Sequence, residues 1–328
     1  MEVKARISNI DFVRGVAIIS VILLHTLSAN ALKLSYASLH IGQAVPIFLF
    51  ITLYLSFKGL DERGGSVMSY FRKRRIGRLC KQVILPFLIV VVLQAFVRVI
   101  CGYKALSISD LVSGGGRGPG SYYFWVYLQI WFLVPFLFHL FKKTEEWGFL
   151  ILLIICLILN YACARVNNEG LYRLTCIRYV FLAVPAYMFL RKDRYRAFLM
   201  ALCVLVSLLY LVLFQKLDLS PFVLNYGWSS QQWPAYFWTF MLFAFLMWLG
   251  NRLQPMNKIY ALLCWLGRNS WYVFLAQMFL LHYLKEENLF IVDNVVLNRL
   301  FFIIITLVVS VIPAFVIEVI KGNLIKKH

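Results

Sequence analysis

The sequence predicts an all-α, polytopic membrane bundle of about ten transmembrane helices. Three observations carry that prediction. Hydrophobic residues fill 62% of the 328 positions, and the mean hydropathy of +0.78 goes with an apolar share well above that of soluble domains. These residues gather into runs that approach the roughly 20 residues a helix needs to cross a bilayer. The cations, which give a net charge of +19, fall in short segments between the runs, as membrane topology demands. One transmembrane domain over residues 1–328 is expected, with no room for a sizeable soluble one.

The runs centre on 10–29, 41–58, 82–101, 122–141, 148–164, 174–190, 197–214, 233–250, 262–284 and 299–320. The fifth is short, and the ninth contains Gly267-Arg268-Asn269-Ser270, a stretch suited to interrupting or capping a helix. An even number of spans leaves the termini on one side. That side and its loops hold 22 of the 33 Lys and Arg residues, against 10 on the other, Arg14 completing the set. By the positive-inside rule the expectation is a multi-pass protein of the inner (cytoplasmic) membrane with both termini cytoplasmic. The same distribution argues for membrane lipids and against nucleic acid as the partner of the positive charge. Cleavage of the first run as a leader, near Ser28-Ala29-Asn30, would remove its most informative residues, so that run is read as retained. The seven cysteines contain no CxxC pair and lie in or beside apolar runs. They read as small hydrophobes, with no disulfide framework and no metal site.

Within the first run, Arg14 and His25 are eleven residues apart. Eleven helical steps return to within about 20° of the starting face after a rise of roughly 16 Å. One face therefore carries a guanidinium near a membrane surface and an imidazole deeper in, and ionisable groups at such depth usually serve a function. Asp11, one turn before Arg14, is an alternative ion-pair partner for it.

The segment between the second and third runs is the most basic: Tyr70-Phe71-Arg72-Lys73-Arg74-Arg75-Ile76-Gly77-Arg78. It reads either as an orientation signal that binds anionic lipid or as a cytoplasmic site for a polyanion. In the second reading Arg75 and Arg78 project from one side of a helical turn and fork onto phosphates, with Arg72 and Arg74 beside them. No Walker motif or GxGxxG accompanies it. The glycine-rich segment Ser113–Ser121 is too flexible for helix and reads as a connector or a mobile lid. Tyr122, Tyr123, Trp125 and Tyr127 open the fourth run as an interfacial aromatic belt, and Gln129, deeper, is placed to hydrogen-bond across helices. Trp228, Gln231, Gln232, Trp233 and Tyr236 also read as belt, although such residues can bind carbohydrate. Glu318 closes the last run, where a nearby cation is its expected partner.

The chain resembles acyltransferase family 3, the integral-membrane acyltransferases. Ile10-Asp11-x-x-Arg14-Gly15 with His25 is similar to that family's Arg-x10-His signature. Pro46-Ile47-Phe48-Leu49-Phe50, Phe71 through Arg78 to Pro86, Tyr123-Phe124-Trp125-x-Tyr127 with Pro135, and Leu266-Gly267-Arg268-Asn269-Ser270-Trp271-Tyr272 resemble its later motifs in the same order. Two positions depart. Thr52-Leu53-Tyr54 stands in the neighbourhood of the family's Ser-Gly, and Gln277 stands where the late motif commonly has His. Gln cannot titrate, but it can still hydrogen-bond.

The resemblance implies an O-acyltransferase, with acetyl the expected group, drawing on cytoplasmic acyl-CoA (acetyl-CoA) and acting on a hydroxyl of an envelope sugar or polysaccharide. His25 would be general base or transient acyl carrier, and Arg14 would fix the donor or offset charge on the thioester oxygen. Arg72, Arg74, Arg75 and Arg78 would hold donor phosphates, with Asp11, Trp125, Gln129 and Gln277 supporting. A small-molecule transporter on the same fold is the rival reading, and a scaffold in an envelope-assembly complex is a third. Self-association into a homo-oligomer is left open.

Overall fold

The structure, a computed structural model, describes residues 8–102, 118–166, 169–191, 194–217, 229–254, 258–284 and 294–325. In chain order the helices are α1 (Ser8–Thr26), α2 (Ala29–Leu34), α3 (Ala44–Asp61), α4 (Val67–Tyr70), α5 (Lys73–Leu79), α6 (Leu85–Ile100), α7 (Tyr122–Thr144), α8 (Glu146–Val166), α9 (Glu169–Leu174), α10 (Ala183–Arg191), α11 (Arg194–Leu217), α12 (Tyr236–Leu253), α13 (Lys258–Arg268), α14 (Ser270–Tyr283) and α15 (Val295–Ile325). Among the described residues there is no strand. The protein is a polytopic helical membrane bundle.

Among the described residues, eight helical runs are long and apolar enough to cross a bilayer, where the sequence pointed to about ten. The difference lies in two interrupted regions. The sixth run begins as the 3₁₀ turns Cys176–Arg178 and Val180–Leu182 and continues only as the nine-residue α10. The ninth divides at Asn269 into α13 and α14, within the stretch read as interrupting. The basic segment is itself helical: α5 passes through a π turn, Cys80–Ile84, into α6, so Lys73–Ile100 forms one helical run. Outward rows such as Val92, Phe96 and Val99 on α6, or Val308, Ile312 and Phe315 on α15, are exposed and apolar. Hydrocarbon surroundings remove the penalty such rows would carry in water.

The chain forms two compact units. Residues 1–32, 79–121 and 246–328 make the first, and 33–78 with 122–245 make the second. The first is built on α1 against α13. A Cβ on Gly15 would sit 2.0 Å from the Leu263 carbonyl oxygen, and one on Gly267 would sit 1.7 Å from that of Asp11. Only glycine permits so close a backbone approach, and dispersion over the shared surface is what joins helices in lipid. Beside this crossing Phe12 stacks on Tyr260 with centroids 5.6 Å apart, and the Tyr260 hydroxyl reaches Ser8 Oγ at 2.9 Å and Asn9 Oδ1 at 2.6 Å. Glu318 accepts from the Trp265 indole and, at 3.4 Å, from the Asn269 amide, where the sequence pointed to a cation. An indole and an amide satisfy the carboxylate at the point where the helix breaks.

The second unit has an aromatic core. Phe57 on α3 meets Phe138 and Phe141 on α7 and Tyr187 on α10 at centroid distances of 5.9, 6.2 and 6.0 Å. Phe50 meets Phe243 of α12 at 4.9 Å. Offset and edge-on geometries of this kind add about 0.5–1.5 kcal/mol per pair beyond the area they bury.

Candidate active site

The Arg14/His25 face belongs to α1, in the first unit. Asp11 is buried, and its Oδ1 lies 3.7 Å from Arg14 Nη1, while 28% of the Arg14 side chain stays exposed. Asp11 thus does pair with Arg14, at a separation beyond hydrogen-bond length. The arginine is steered by charge, and part of its surface remains open.

His25 lies half-buried in the last turn of α1. Its surroundings come from segments distant in sequence. A Cβ on Gly120 would lie 3.9 Å from His25 Nε2 and 2.9 Å from the Phe274 ring, and one on Gly118 would lie 2.1 Å from the Met278 carbonyl oxygen. Both glycines have positive φ, +100° at Gly118 and +85° at Gly120. A turn that must both enter the left-handed region and touch a backbone requires glycine. Gly118-Pro119-Gly120 therefore seats against α14 and the imidazole. Residues 113–117 of the segment read as connector or lid lie outside the described residues. Phe274 stacks on Trp271 at 5.5 Å and 19°. One turn further, Gln277 is fully buried, and neither amide atom has a hydrogen-bond partner among the described residues.

The second unit contains the basic segment. Arg75 is half-buried: its Nη2 donates to Ser56 Oγ at 3.1 Å, and its guanidinium carbon lies 3.6 Å from the centroid of the Tyr70 ring. Burial pushes the Tyr70 phenol up to about 12, even though Arg75 and Ser56 pull it down. The ring stays neutral at any physiological pH and serves as a face for the cation. Arg72, Arg74 and Arg78 are exposed. Of the four arginines read as phosphate ligands, Arg75 is partly engaged within the protein.

Trp125 is half-buried, and its indole nitrogen has no partner among the described residues. Gln129 donates to the Leu174 carbonyl at 2.7 Å and accepts from the Cys176 amide at 2.9 Å. It makes the cross-helix bond expected of it, and that bond fixes the start of the 3₁₀ turns.

Sequence reasoning missed Arg178, which is only 3% exposed. Its Nη2 donates to Tyr179 Oη at 2.7 Å, Tyr179 donates to Gln231 Oε1 at 2.6 Å, and Gln231 Nε2 donates to the Gly42 carbonyl at 3.0 Å. Its guanidinium lies 4.5, 5.5 and 5.6 Å from the ring centroids of Tyr179, Tyr122 and Tyr172. Tyr236 Oη bridges the Arg178 and Gln231 carbonyls at 2.5 and 2.8 Å. Gln231 and Tyr236, read as interfacial belt, are buried members of this network. Trp228 lies outside the described residues. The available signal was an arginine inside an apolar run.

The fold defines a multi-pass helical membrane protein, with Arg14 and His25 on its first helix. The model of the acyltransferase domain, family 3, matches residues 7–319. The chain belongs to that family. No curated protein and no solved structure matches it.

Proposed function

We propose that the protein is a membrane O-acyltransferase that moves an acyl group, acetyl in the simplest case, from acyl-CoA on the cytoplasmic side to a hydroxyl of a cell-envelope sugar or polysaccharide. The observation that carries this reading is the presence of a partly exposed Arg14 and a half-buried His25, eleven residues apart on α1, in a chain of acyltransferase family 3.

The His25 imidazole takes the proton of the acceptor hydroxyl as its oxygen attacks the thioester carbonyl. The C–O bond forms, the C–S bond breaks, and coenzyme A leaves as a thiol with that proton. Imidazole suits this exchange because its ordinary pKa lies near 6.5; transient acylation of the same ring is the covalent variant. Arg14, held by Asp11 and still open, offsets charge on the thioester oxygen. Arg72, Arg74 and Arg78 offer exposed guanidinium groups to donor phosphates, and Arg75 does so with the part of its fork that Ser56 leaves open.

The test is transfer from radiolabelled acetyl-CoA into envelope glycans by membranes carrying wild type, His25→Ala or Arg14→Ala. At equal protein level His25→Ala should lower incorporation by about 10² or more. Undiminished incorporation would remove His25 from the chemistry.

A further inference from the structure

Within the spanning helices, Ser20, Thr26, Thr52 and Thr144 each donate to the carbonyl four residues back, at 3.0, 2.9, 2.9 and 2.7 Å. A hydroxyl in hydrocarbon is commonly satisfied in this way. Thr306 and Ser310 on α15 make no such bond. Both are fully buried, and neither hydroxyl has a partner among the described residues. Four residues apart, they share one face of the helix with the fully buried Ala314.

Gln277 on α14 is the third such group, fully buried with both amide atoms unpaired among the described residues. α14 packs on α15. Glu318 accepts from Asn269 at the head of α14, and Val273 shares an apolar groove with Val308, Val311 and Ile312. Residue numbers rise on one helix as they fall on the other, so the two run antiparallel. Gln277 stands eight residues beyond Asn269 and Ser310 eight before Glu318, a rise of about 12 Å along each helix. The two are therefore level. Gln277 also points within about 40° of Val273, on the side of α14 that meets α15.

We propose that Gln277, Thr306 and Ser310 form a water-binding site in the interior of the first unit, the bound water supplying the hydrogen bonds these side chains lack from the protein. Side chains four residues apart on a helix stand about 5–6 Å apart at Cβ. That is about twice the length of an O–H···O bond, so one water spans Thr306 and Ser310 where a direct bond does not. Gln277, with a donor and an acceptor, completes the roughly three bonds a buried water makes. An amide and two hydroxyls carry no formal charge, which suits a small neutral hydroxylic ligand and not an ion. Water held there ties α14 to α15. α14 carries Phe274 and Met278, against which Gly120 and Gly118 seat beside His25. The site thus steadies one wall of the His25 surroundings, and it stands whatever reaction His25 serves.

The experiment uses the full chain in phosphatidylcholine bilayers, with glutamine side chains labelled with ¹⁵N. Proton-detected solid-state NMR should show transfer from water protons to the Gln277 side-chain amide, whose signal is the one missing in Gln277→Met. Ser310→Ala should weaken that transfer several-fold. Thr306→Val and Ser310→Ala should each lower the melting temperature, because each leaves the water and the remaining groups short of a partner. Adding Gln277→Met to the pair should recover part of the loss, since no unpaired group then remains. Absence of water transfer at Gln277, with transfer present at amides of the helix ends, would overturn the proposal. A rise in melting temperature in either single variant would do the same, because it marks hydroxyls buried dry. So would a direct contact between the Gln277 amide and the Ser310 hydroxyl with no water signal.

Discussion

Arg14 and Arg178 are both guanidinium groups in a membrane protein, and the structure treats them in opposite ways. Arg178 is closed in on three tyrosine rings, with Nη2 hydrogen-bonded to Tyr179 and the chain continuing through Gln231 to a backbone carbonyl. Arg14 keeps 28% of its side chain exposed, with its Nη1 3.7 Å from Asp11 Oδ1. A desolvated charge is tolerated where ring faces and a hydrogen-bonded hydroxyl offset part of its lost hydration. A cation that stays partly exposed beside a carboxylate can be reached by a ligand. The contrast separates a residue that organises its unit from one that is available for chemistry.

The sharpest way to break this comparison is Arg178→Gln, which removes the charge and the faces it fills. We expect a loss of about 3 kcal/mol from the charged hydrogen bond and ring contacts, read as a large drop in the melting temperature of detergent-solubilised protein. Protein that folds with wild-type stability and yet transfers no acyl group would make Arg178 a site residue and end the distinction. The glycine contacts come next. Gly267→Ala drives a methyl into the Asp11 carbonyl, so α1 and α13 must separate, at about 2–3 kcal/mol. Gly120→Ala places its methyl against Phe274 and near His25 Nε2. It should lower kcat roughly tenfold or more at a smaller stability loss, because it displaces the imidazole. Wild-type melting temperatures and wild-type kcat values in both variants would show that neither contact is required.

Much of this was legible in the sequence where the physics is local. Run length placed most of the long helices, eleven-residue spacing put Arg14 and His25 on one face, and Gly267 through Ser270 announced the break at Asn269. Gln129 was read as a cross-helix donor because an amide in hydrocarbon needs a partner, and it found two. What stayed hidden depends on segments distant in sequence. Gly120 belongs to a segment whose composition signals flexibility, and only its docking on Phe274 and His25 shows why glycine is required. Arg178 drew no reading of its own, since nothing in a linear sequence tells that Tyr122, Tyr172 and Tyr179 will surround it.

The mildest comparison lies within the basic segment, where Arg75 resembles Arg178 and Arg78 resembles Arg14. Arg75 has Ser56 and the Tyr70 ring, while Arg78 is exposed one turn further on. If the exposed arginines hold donor phosphates, Arg78→Ala should raise KM for acetyl-CoA by about tenfold, equivalent to some 1.4 kcal/mol. Melting should be unchanged, and the effect should shrink as salt screens the contact. Arg75→Ala should instead lose about 1–2 kcal/mol of stability, because a cation–π contact and a charged hydrogen bond go together. Steady-state KM at two ionic strengths beside thermal melts of both variants reads these effects separately. An unchanged KM in Arg78→Ala would return the segment to the role of a topology signal that binds anionic lipid. A raised KM with unaltered melting would extend the Arg14 pattern to a second place in the chain: a guanidinium left partly exposed by the protein is one the substrate can reach.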